Sequence, residues 1–230
     1  MEIVRRRSPN FGERRGGAVP VLVVLHYTAM PDAQSALDRL CDPAAEVSSH
    51  YLIGRDGACW QLVDDDRRAW HAGSGAWAGH DDVNSRSIGI ELDNDGASPF
   101  PEPLMAALEG LLPPLMARWR IPPEGVIGHS DMAPARKSDP GPRFDWARLA
   151  LRGLACWPRA DIGGTVPDEA GFLRDLTAFG YPDDVAADVM LATFRSRFRP
   201  WADGPLDATD MGLARDLASR FPIDRARATD

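Results

Sequence analysis

The chain has 230 residues and a mass of 25.1 kDa, and 44% of its residues are hydrophobic, so it is long enough for one ordinary domain and a small second module. Its formal net charge of -8 at pH 7 argues against affinity for nucleic acid or for an anionic membrane, because both need a positive field. The three cysteines are widely spaced and form no Cys-x-x-Cys pair, which argues against a thiolate zinc site or a disulfide framework.

The first part of the chain predicts an arm, a buried strand and a helix. Residues 1–18 are interpreted as a loose polar N-terminal arm. The β-branched run from Val19 to Leu25 is apolar on both faces, as expected for a strand inside a covered sheet, and it ends at His26. Helical spacing of apolar residues then predicts a helix over 33–40.

A hairpin and a long loop follow. Alternation over 48–53, a turn at 55–57 and a second run over 59–63 predict a β-hairpin. Residues 70–84 are rich in glycine and histidine and have no period. Loops of that length in compact domains tend to be functional.

The next segment predicts a strand and a long helix. In the strand 87–92 the isoleucines and the leucine share one face, so Glu91 points to the other face. Helical spacing continues over 103–119, and we expect Pro113 and Pro114 to kink or break that helix.

An apolar segment over 121–128 leads to His129 and a proline-rich loop, 128–142. We expect this loop to be stiff and not helical, because its prolines restrict the backbone. A further helix begins at Asp145. Since strands and helices alternate, residues 19–158 are predicted to form one α/β domain with a mixed central sheet flanked by helices.

The composition changes after residue 158. Residues 159–166 are interpreted as a linker, and 167–230 as a small module of three helices. Helices of this size have little core of their own, so we expect them to pack partly against the larger domain. The predicted helices cover 169–179, 184–198 and 209–221.

Three residues are candidate metal ligands. A catalytic zinc needs three protein ligands and one open position, and His26, His129 and Asp139 can supply the nitrogen and carboxylate donors. His26 follows a buried strand, where ligands gather in α/β sheets. Two alternatives stay open at this point: His26 as a core histidine, and other ligand sets. The other histidines available are His50, His71 and His80.

Five motifs, in order over residues 22–142, carry a resemblance to a known family. The chain resembles the zinc-dependent N-acetylmuramoyl-L-alanine amidases of the type 2 family, in their AmiD-like branch, and 167–230 resembles the helical peptidoglycan-binding-type module of that branch. The motifs are Leu25-His-Tyr-Thr-Ala29, Ser48-Ser-His-Tyr-Leu52, Trp70-His-Ala-Gly73, Asn84-x-x-Ser-Ile-Gly-Ile-Glu-Leu92 and Gly128-His-Ser-Asp-Met-Ala-Pro-Ala-Arg-Lys-Ser-Asp-Pro-Gly-Pro142.

The resemblance implies a role for each candidate residue. His26, His129 and Asp139 become the ligands of one Zn²⁺ ion, Glu91 the catalytic carboxylate and Lys137 the group that stabilises the oxyanion. The residues alone leave other interpretations open. Glu91 is also a candidate salt-bridge partner for an arginine (Arg86 or Arg136), and Lys137 is also interpretable as a solvated loop lysine.

The glycine-rich loop is interpreted as the wall of a substrate groove. Arg136 is a candidate partner for a substrate carboxylate, and Asn84 either binds substrate or caps the turn before its strand. His50 is interpreted as structural, because a fourth protein ligand would close the site. Two tryptophans of the loop are equally compatible with the core. The groove candidates are Trp70, His71, Ala72, Gly73 and Trp77.

The expected reaction is hydrolysis of the amide between N-acetylmuramic acid, possibly its 1,6-anhydro form, and the L-alanine of the stem peptide. The alternatives are a peptidoglycan-recognition module without activity and a zinc peptidase that cuts within the stem peptide. The N-terminus lacks a signal peptide, so action in the cytoplasm on imported muropeptides is expected, or a periplasmic or outer-membrane location if a leader was removed. A monomer is expected as well.

Overall fold

A mixed six-stranded sheet lies at the centre of the molecule in the computed structural model, which describes residues 2–159 and 166–223. The strands are β1 Ile3–Arg5, β2 Phe11–Glu13, β3 Leu22–Tyr27, β4 Tyr51–Ile53, β5 Cys59–Gln61, β6 Arg67–Ala69, β7 Ser87–Leu92 and β8 Val126–Gly128. Their order in the sheet is β1-β5-β4-β7-β3-β8, while β2 and β6 form a separate ribbon. β3 is parallel to both β7 and β8, so the carboxyl ends of these three strands meet at one edge.

Helices cover both faces of the sheet. They are α1 Ala33–Cys41, α2 Val83–Arg86, α3 Glu102–Trp119, α4 His129–Met132, α5 Trp146–Leu151, α6 Glu169–Phe179, α7 Ala187–Phe198 and α8 Ala208–Arg220. α1 begins where Asp32 accepts a hydrogen bond from the backbone N–H of Ser35, as an N-cap does. The predicted start of α1 is confirmed.

The first face of the sheet packs against α3. Leu25 and Ile90 on the strands share a buried cluster with Leu104, Leu108 and Leu112 on the helix. Because side chains alternate along a strand, the neighbouring residues of β3 and β7 point to the second face. Glu91 is among them, as the alternation predicted.

The second face is covered by two separate groups of helices. Val24 and Ile127 pack with the aromatic side chains of the C-terminal helices, including Phe172 and Phe194. Leu52 packs instead against α1. A cleft beside α1 opens at the carboxyl edge of the sheet.

The N-terminal segment is not the loose arm that the sequence suggested. β1 pairs in parallel with β5, placing Ile3 opposite Cys59, and β2 pairs with β6, placing Phe11 opposite Ala69. Each of these strands has three residues and lies largely exposed, so no hydrophobic period reveals it in the sequence.

Two expectations about proline were also wrong: that Pro113 and Pro114 break the long helix, and that the proline-rich loop is nowhere helical. α3 continues through Pro113 and Pro114, which are exposed, while the leucines beside them are buried. Burying each leucine stabilises by about 1.5–3 kcal/mol, which offsets the cost of a proline in a helix, ~3 kcal/mol. The proline-rich loop begins with one helical turn, α4, which precedes Pro134. A proline restricts mainly the residue before it, and helical geometry ends there, at Ala133.

The C-terminal helices lie close to their predicted positions and pack on the sheet as expected. Most of the predicted linker, 160–165, lies outside the described residues, as does 224–230, so the boundary between the two predicted units stays a prediction. Within the described ranges, no helix has both the length and the apolar content that a bilayer span needs.

Candidate metal centre and cleft

The carboxyl ends of three parallel strands bring the candidate residues together. His26 lies opposite Glu91 in the pairing of β3 with β7. Leu25 lies opposite Gly128 in the pairing of β3 with β8. His129, the residue after Gly128, therefore lies next to His26 at the end of β8. Three residues distant in sequence are therefore neighbours because of strand register.

Asp139 reaches the same place because the proline-rich loop folds back on itself. Its carbonyl accepts a hydrogen bond from the backbone N–H of Ser130, at 2.9 Å. A Cβ on Gly128 would lie 2.7 Å from Cδ of Pro140, so only glycine allows this close return. Oδ2 of Asp139 lies 3.0 Å from Nδ1 of His26 and 3.0 Å from Nδ1 of His129.

The neighbours of His26 determine which of its ring nitrogens carries the proton. Ser87 donates its hydroxyl hydrogen to the carbonyl of Val83, at 2.6 Å, so its Oγ accepts from Nε2 of His71, at 3.1 Å. Nδ1 of His71 is then unprotonated and accepts from Nε2 of His26, at 3.0 Å. The remaining nitrogen of His26, Nδ1, therefore has a free lone pair.

The same reasoning applies to His129. Its Nε2 donates to the carbonyl of Ala72, at 2.8 Å, which leaves Nδ1 unprotonated. The two Nδ1 atoms of His26 and His129 lie 2.9 Å apart, and in these tautomers each presents a lone pair to the other. Burial lowers the pKa of His26 to about 4, so the ring stays neutral at pH 7.

This arrangement fits a metal ion. Two lone pairs and the carboxylate oxygen of Asp139 lie within about 3 Å of one another and are all buried. Lone pairs this close together repel one another, and a cation between them removes that repulsion. The ligand atoms of a tetrahedral zinc site, with bonds of ~2.0–2.1 Å, are about 3.3 Å apart, close to the spacing observed here. His26, His129 and Asp139 would supply three donors to such an ion, and the cleft adjoins them on the open side.

Glu91 faces this centre from the adjacent strand. Its Oε2 is shielded from solvent and has no hydrogen-bond partner among the described residues. Burial, and then the negative charge of Asp139, raise the pKa of Glu91 to about 8, against the opposing effect of Lys137. Within the described part of the chain Glu91 makes no ion pair, and Arg136 donates to backbone carbonyls instead.

The centre opens into a cleft of about 440 Å³ between α1 and the proline-rich loop. Lys137 is exposed on its wall, together with Arg136, whose guanidinium donates to the carbonyls of Ala72 and Ser74. Trp70 and His71 also line the cleft. Gly73 is exposed and lies against the Arg136 guanidinium.

Four residues of the predicted substrate-binding set do not line the cleft: Ala72, Gly73, Trp77 and Asn84. Trp77 and Ala72 are buried in the core on the C-terminal side. Asn84 is buried too, and its Oδ1 accepts hydrogen bonds from the backbone N–H groups of His71 and Ala72, at 3.0 and 2.9 Å. Asn84 therefore fixes the loop that supports both histidine ligands.

Sequence reasoning missed the partners of the ligands. His71 was assigned to the groove, yet its ring also contacts His26, and Ser87 was not singled out at all. The signal for His71 was present, since a histidine ligand needs an acceptor for its second nitrogen. His50 is structural, as interpreted: it accepts from the N–H of Gly89 and bonds the carbonyl of Arg67.

The fold and this site define a class of protein: a hydrolase whose mixed sheet carries, at its carboxyl edge, a His-His-Asp centre suited to a metal ion, beside a carboxylate in an open cleft. The comparisons with known proteins agree. The family model described as N-acetylmuramoyl-L-alanine amidase matches residues 16–142. The chain therefore belongs to the N-acetylmuramoyl-L-alanine amidase family, and it is an enzyme.

Individual relatives support this assignment. The chain is 37% identical over 236 residues to the N-acetylmuramoyl-L-alanine amidase AmiD of Escherichia coli, covering 88% of this chain and 84% of that protein. It is 35% identical to the 1,6-anhydro-N-acetylmuramyl-L-alanine amidase AmpD of the same organism, covering 63% of this chain and 88% of AmpD.

Solved structures show the same fold. AmiD in complex with the substrate anhydro-N-acetylmuramic acid-L-Ala-D-gamma-Glu-L-Lys matches with a TM-score of 0.80 and 34% identity, over 92% of this chain and 98% of that one. AmpDh3 from Pseudomonas aeruginosa matches with a TM-score of 0.80 and 30% identity, over 95% and 96%. The predicted fold class is confirmed.

Proposed function

We propose that the chain uses one Zn²⁺ ion, bound by His26, His129 and Asp139, to hydrolyse the amide between 1,6-anhydro-N-acetylmuramic acid and the L-alanine of the stem peptide. The observation that carries this proposal is the convergence of two imidazole Nδ1 atoms and a carboxylate beside the oxygen of Glu91, which has no partner among the described residues. Two relatives support the substrate: AmiD and AmpDh3 are known in complex with anhydromuramic peptides.

The residues around the centre divide the chemistry between them. Zinc in such a site lowers the pKa of a bound water toward ~7 and polarises the carbonyl under attack. Glu91, with a pKa of about 8, exists in both protonation states near neutrality. It takes a proton from the attacking water and delivers it to the nitrogen of the leaving L-alanine.

Lys137 contributes charge in this proposal. Its ammonium lies on the wall of the same cleft as Glu91 and Asp139, and it carries no ion pair within the described residues. A cation near the carbonyl oxygen stabilises the negative charge that develops there as water adds. Cleavage of the C–N bond then gives the lactyl carboxylate of the sugar and the free amine of the peptide.

The cleft offers contacts for both parts of the substrate. Trp70 lines the cleft and provides an aromatic face for a sugar ring, while Arg136, also in the lining, is a cation for a peptide carboxylate. Gly73 leaves space beside Arg136. We propose these three residues, with His71 at the base, as the substrate-contacting set.

Compartment and assembly stay predictions. Action in the cytoplasm, and a monomeric state, are expectations from the sequence. Fractionation of the native cell with an antibody against the chain, and light scattering of the purified protein, test them separately.

One experiment tests the function. Purified anhydro-muramyl tripeptide is incubated with the full-length chain, with and without a chelator, and the products are identified by mass spectrometry. We expect anhydromuramic acid and an intact tripeptide, and no reaction with chelator until zinc is restored. Release of L-alanine or a shortened peptide would assign the chain to the zinc peptidases instead, and chelator-resistant activity would exclude the metal.

A further inference from the structure

A buried ion pair joins the C-terminal helices to the segment that carries the metal ligand His129. Asp131 lies two residues after His129 in α4 and is 1% exposed, and Arg197 of α7 is 4% exposed. Nη1 of Arg197 donates to Oδ2 of Asp131. Tyr181, also buried, donates its hydroxyl hydrogen to Oδ1 of the same carboxylate, at 2.7 Å.

The same contacts extend to the strand before His129. Asp131 accepts the backbone N–H of Gly128 at 2.7 Å, and Arg197 donates through Nη2 to the carbonyl of Val126 at 3.1 Å. Two side chains of the C-terminal segment thus attach to both ends of the turn on which His129 lies. The guanidinium of Arg197 is itself placed by stacking, 4.0 Å above the ring of Trp146.

The C-terminal segment also contacts the second support of His129, the glycine-rich loop. The carbonyl of Gly180 accepts a hydrogen bond from the N–H of Ala78, at 2.9 Å. A Cβ on Gly180 would lie 2.5 Å from the ring of Trp77, so the two backbones meet too closely for any other residue. The loop packed here carries Ala72, whose carbonyl accepts from Nε2 of His129.

We propose that the C-terminal helices position His129, with Tyr181 and Arg197 acting through Asp131. These three are positioning residues, because none of them touches the metal centre or lines the cleft. A metal ligand at the end of a strand keeps a fixed position only if the turn that it begins is itself fixed. Asp131 fixes this turn, because its charged carboxylate binds both Tyr181 and Arg197. This inference rests on the proposed function, since it assigns His129 to a metal.

The same helix provides a matched control. Arg195 of α7 is 6% exposed and pairs with Asp210 of α8, which is 0% exposed. Its other partners among the described residues are Asp207 and the carbonyls of Gly204 and Pro205, all within the C-terminal segment. Arg195→Met and Arg197→Met therefore remove equally buried guanidinium groups, two residues apart, and only the second reaches α4.

The experiment compares Arg197→Met, Tyr181→Phe and Arg195→Met with wild type in the full-length chain, at a temperature where thermal scans show each to be folded. Zinc affinity is measured by competition with a chromophoric chelator, and ligand geometry by the visible absorption of the Co²⁺-substituted protein. We expect Arg197→Met and Tyr181→Phe to bind zinc about tenfold more weakly and to change the cobalt spectrum. For both, kcat should fall by about tenfold or more with KM nearly unchanged.

Arg195→Met should have a lower melting temperature but wild-type zinc affinity and a wild-type cobalt spectrum. If Arg197→Met does not fold, Tyr181→Phe decides alone, because it removes one hydroxyl and leaves the ion pair. Wild-type affinity and spectrum in Tyr181→Phe, or equal losses in Arg195→Met and Arg197→Met, would overturn the proposal while leaving the amidase function intact. A wild-type chain that binds no zinc would overturn both.

Discussion

Nε2 of His26 lies 3.0 Å from Nδ1 of His71, so one histidine determines the proton position of another. His71 can accept this hydrogen bond only because its own Nε2 donates to Ser87. Burial, followed by the influence of His26 and His50, lowers the pKa of His71 well below its ordinary value, which keeps the ring neutral. The relay presents Nδ1 of His26, without a proton, to the metal centre.

Replacing His71 tests this relay. In His71→Ala the Nε2 proton of His26 loses its acceptor, so zinc affinity should fall by about 10–100-fold, as for other outer partners of a metal ligand. The measurement is chelator competition. His80→Ala is the control, a histidine of the same loop whose Nε2 has no hydrogen-bond partner among the described residues. Equal affinity in the two variants would contradict the relay.

Zinc should stabilise the folded chain. The three donors meet only in the folded state, so zinc at 100 times its dissociation constant should add about 2.7 kcal/mol to the free energy of unfolding. For a chain of this length that corresponds to a rise of roughly 5–10 °C in the melting temperature. Differential scanning calorimetry with and without zinc measures it. Asp139→Asn should abolish the rise, and an undiminished rise in that variant would place the ion elsewhere.

Glu91→Gln should remove activity but stabilise the metal-free protein. The pKa of Glu91 rises from 4.5 to about 8 on folding, so its favourable contribution is complete below pH 4.5 and is lost as pH increases toward 8. Gln resembles the protonated acid. The variant should therefore match wild type near pH 4 and exceed it at pH 8, by about 1–3 kcal/mol, the usual cost of an unsatisfied buried group. Denaturant titrations of chelator-treated protein at the two pH values measure this difference in the free energy of unfolding. A difference that does not change with pH would be inconsistent with a raised pKa of Glu91.

Asn84 should matter for stability and activity together. Asn84→Ala leaves the backbone N–H groups of His71 and Ala72 without their acceptor, so the free energy of unfolding should fall by about 1–3 kcal/mol. Because Ala72 in turn accepts from His129, zinc affinity should fall as well. Asn84→Asp keeps the acceptor oxygen and should lie closer to wild type. If both variants bind zinc with wild-type affinity, the hydrogen bonds of Asn84 to the backbone of His71 and Ala72 are not needed to position His129.

Short-range pattern predicted several elements well. The strand 87–92 has the predicted bounds, and its alternation correctly separates Glu91 from the apolar face. Helix α1 begins at Ala33, as predicted. The pattern did not predict the three-residue strands, because they contain too few residues to show a period. It also did not predict that α3 continues through Pro113 and Pro114, because the burial of its leucines depends on tertiary packing.

The sequence alone determined the candidate donors, since His26, His129 and Asp139 stand in family motifs, and it determined that Glu91 faces the side of the sheet away from the main apolar layer. Only the tertiary structure decided what supports them. Strand register makes His26 and Glu91 neighbours. Hydrogen bonds to residues distant in sequence determine the tautomers of His26 and His129, in which each Nδ1 is unprotonated. Those choices depend on contacts between residues far apart in the chain, which no local pattern of residue types encodes.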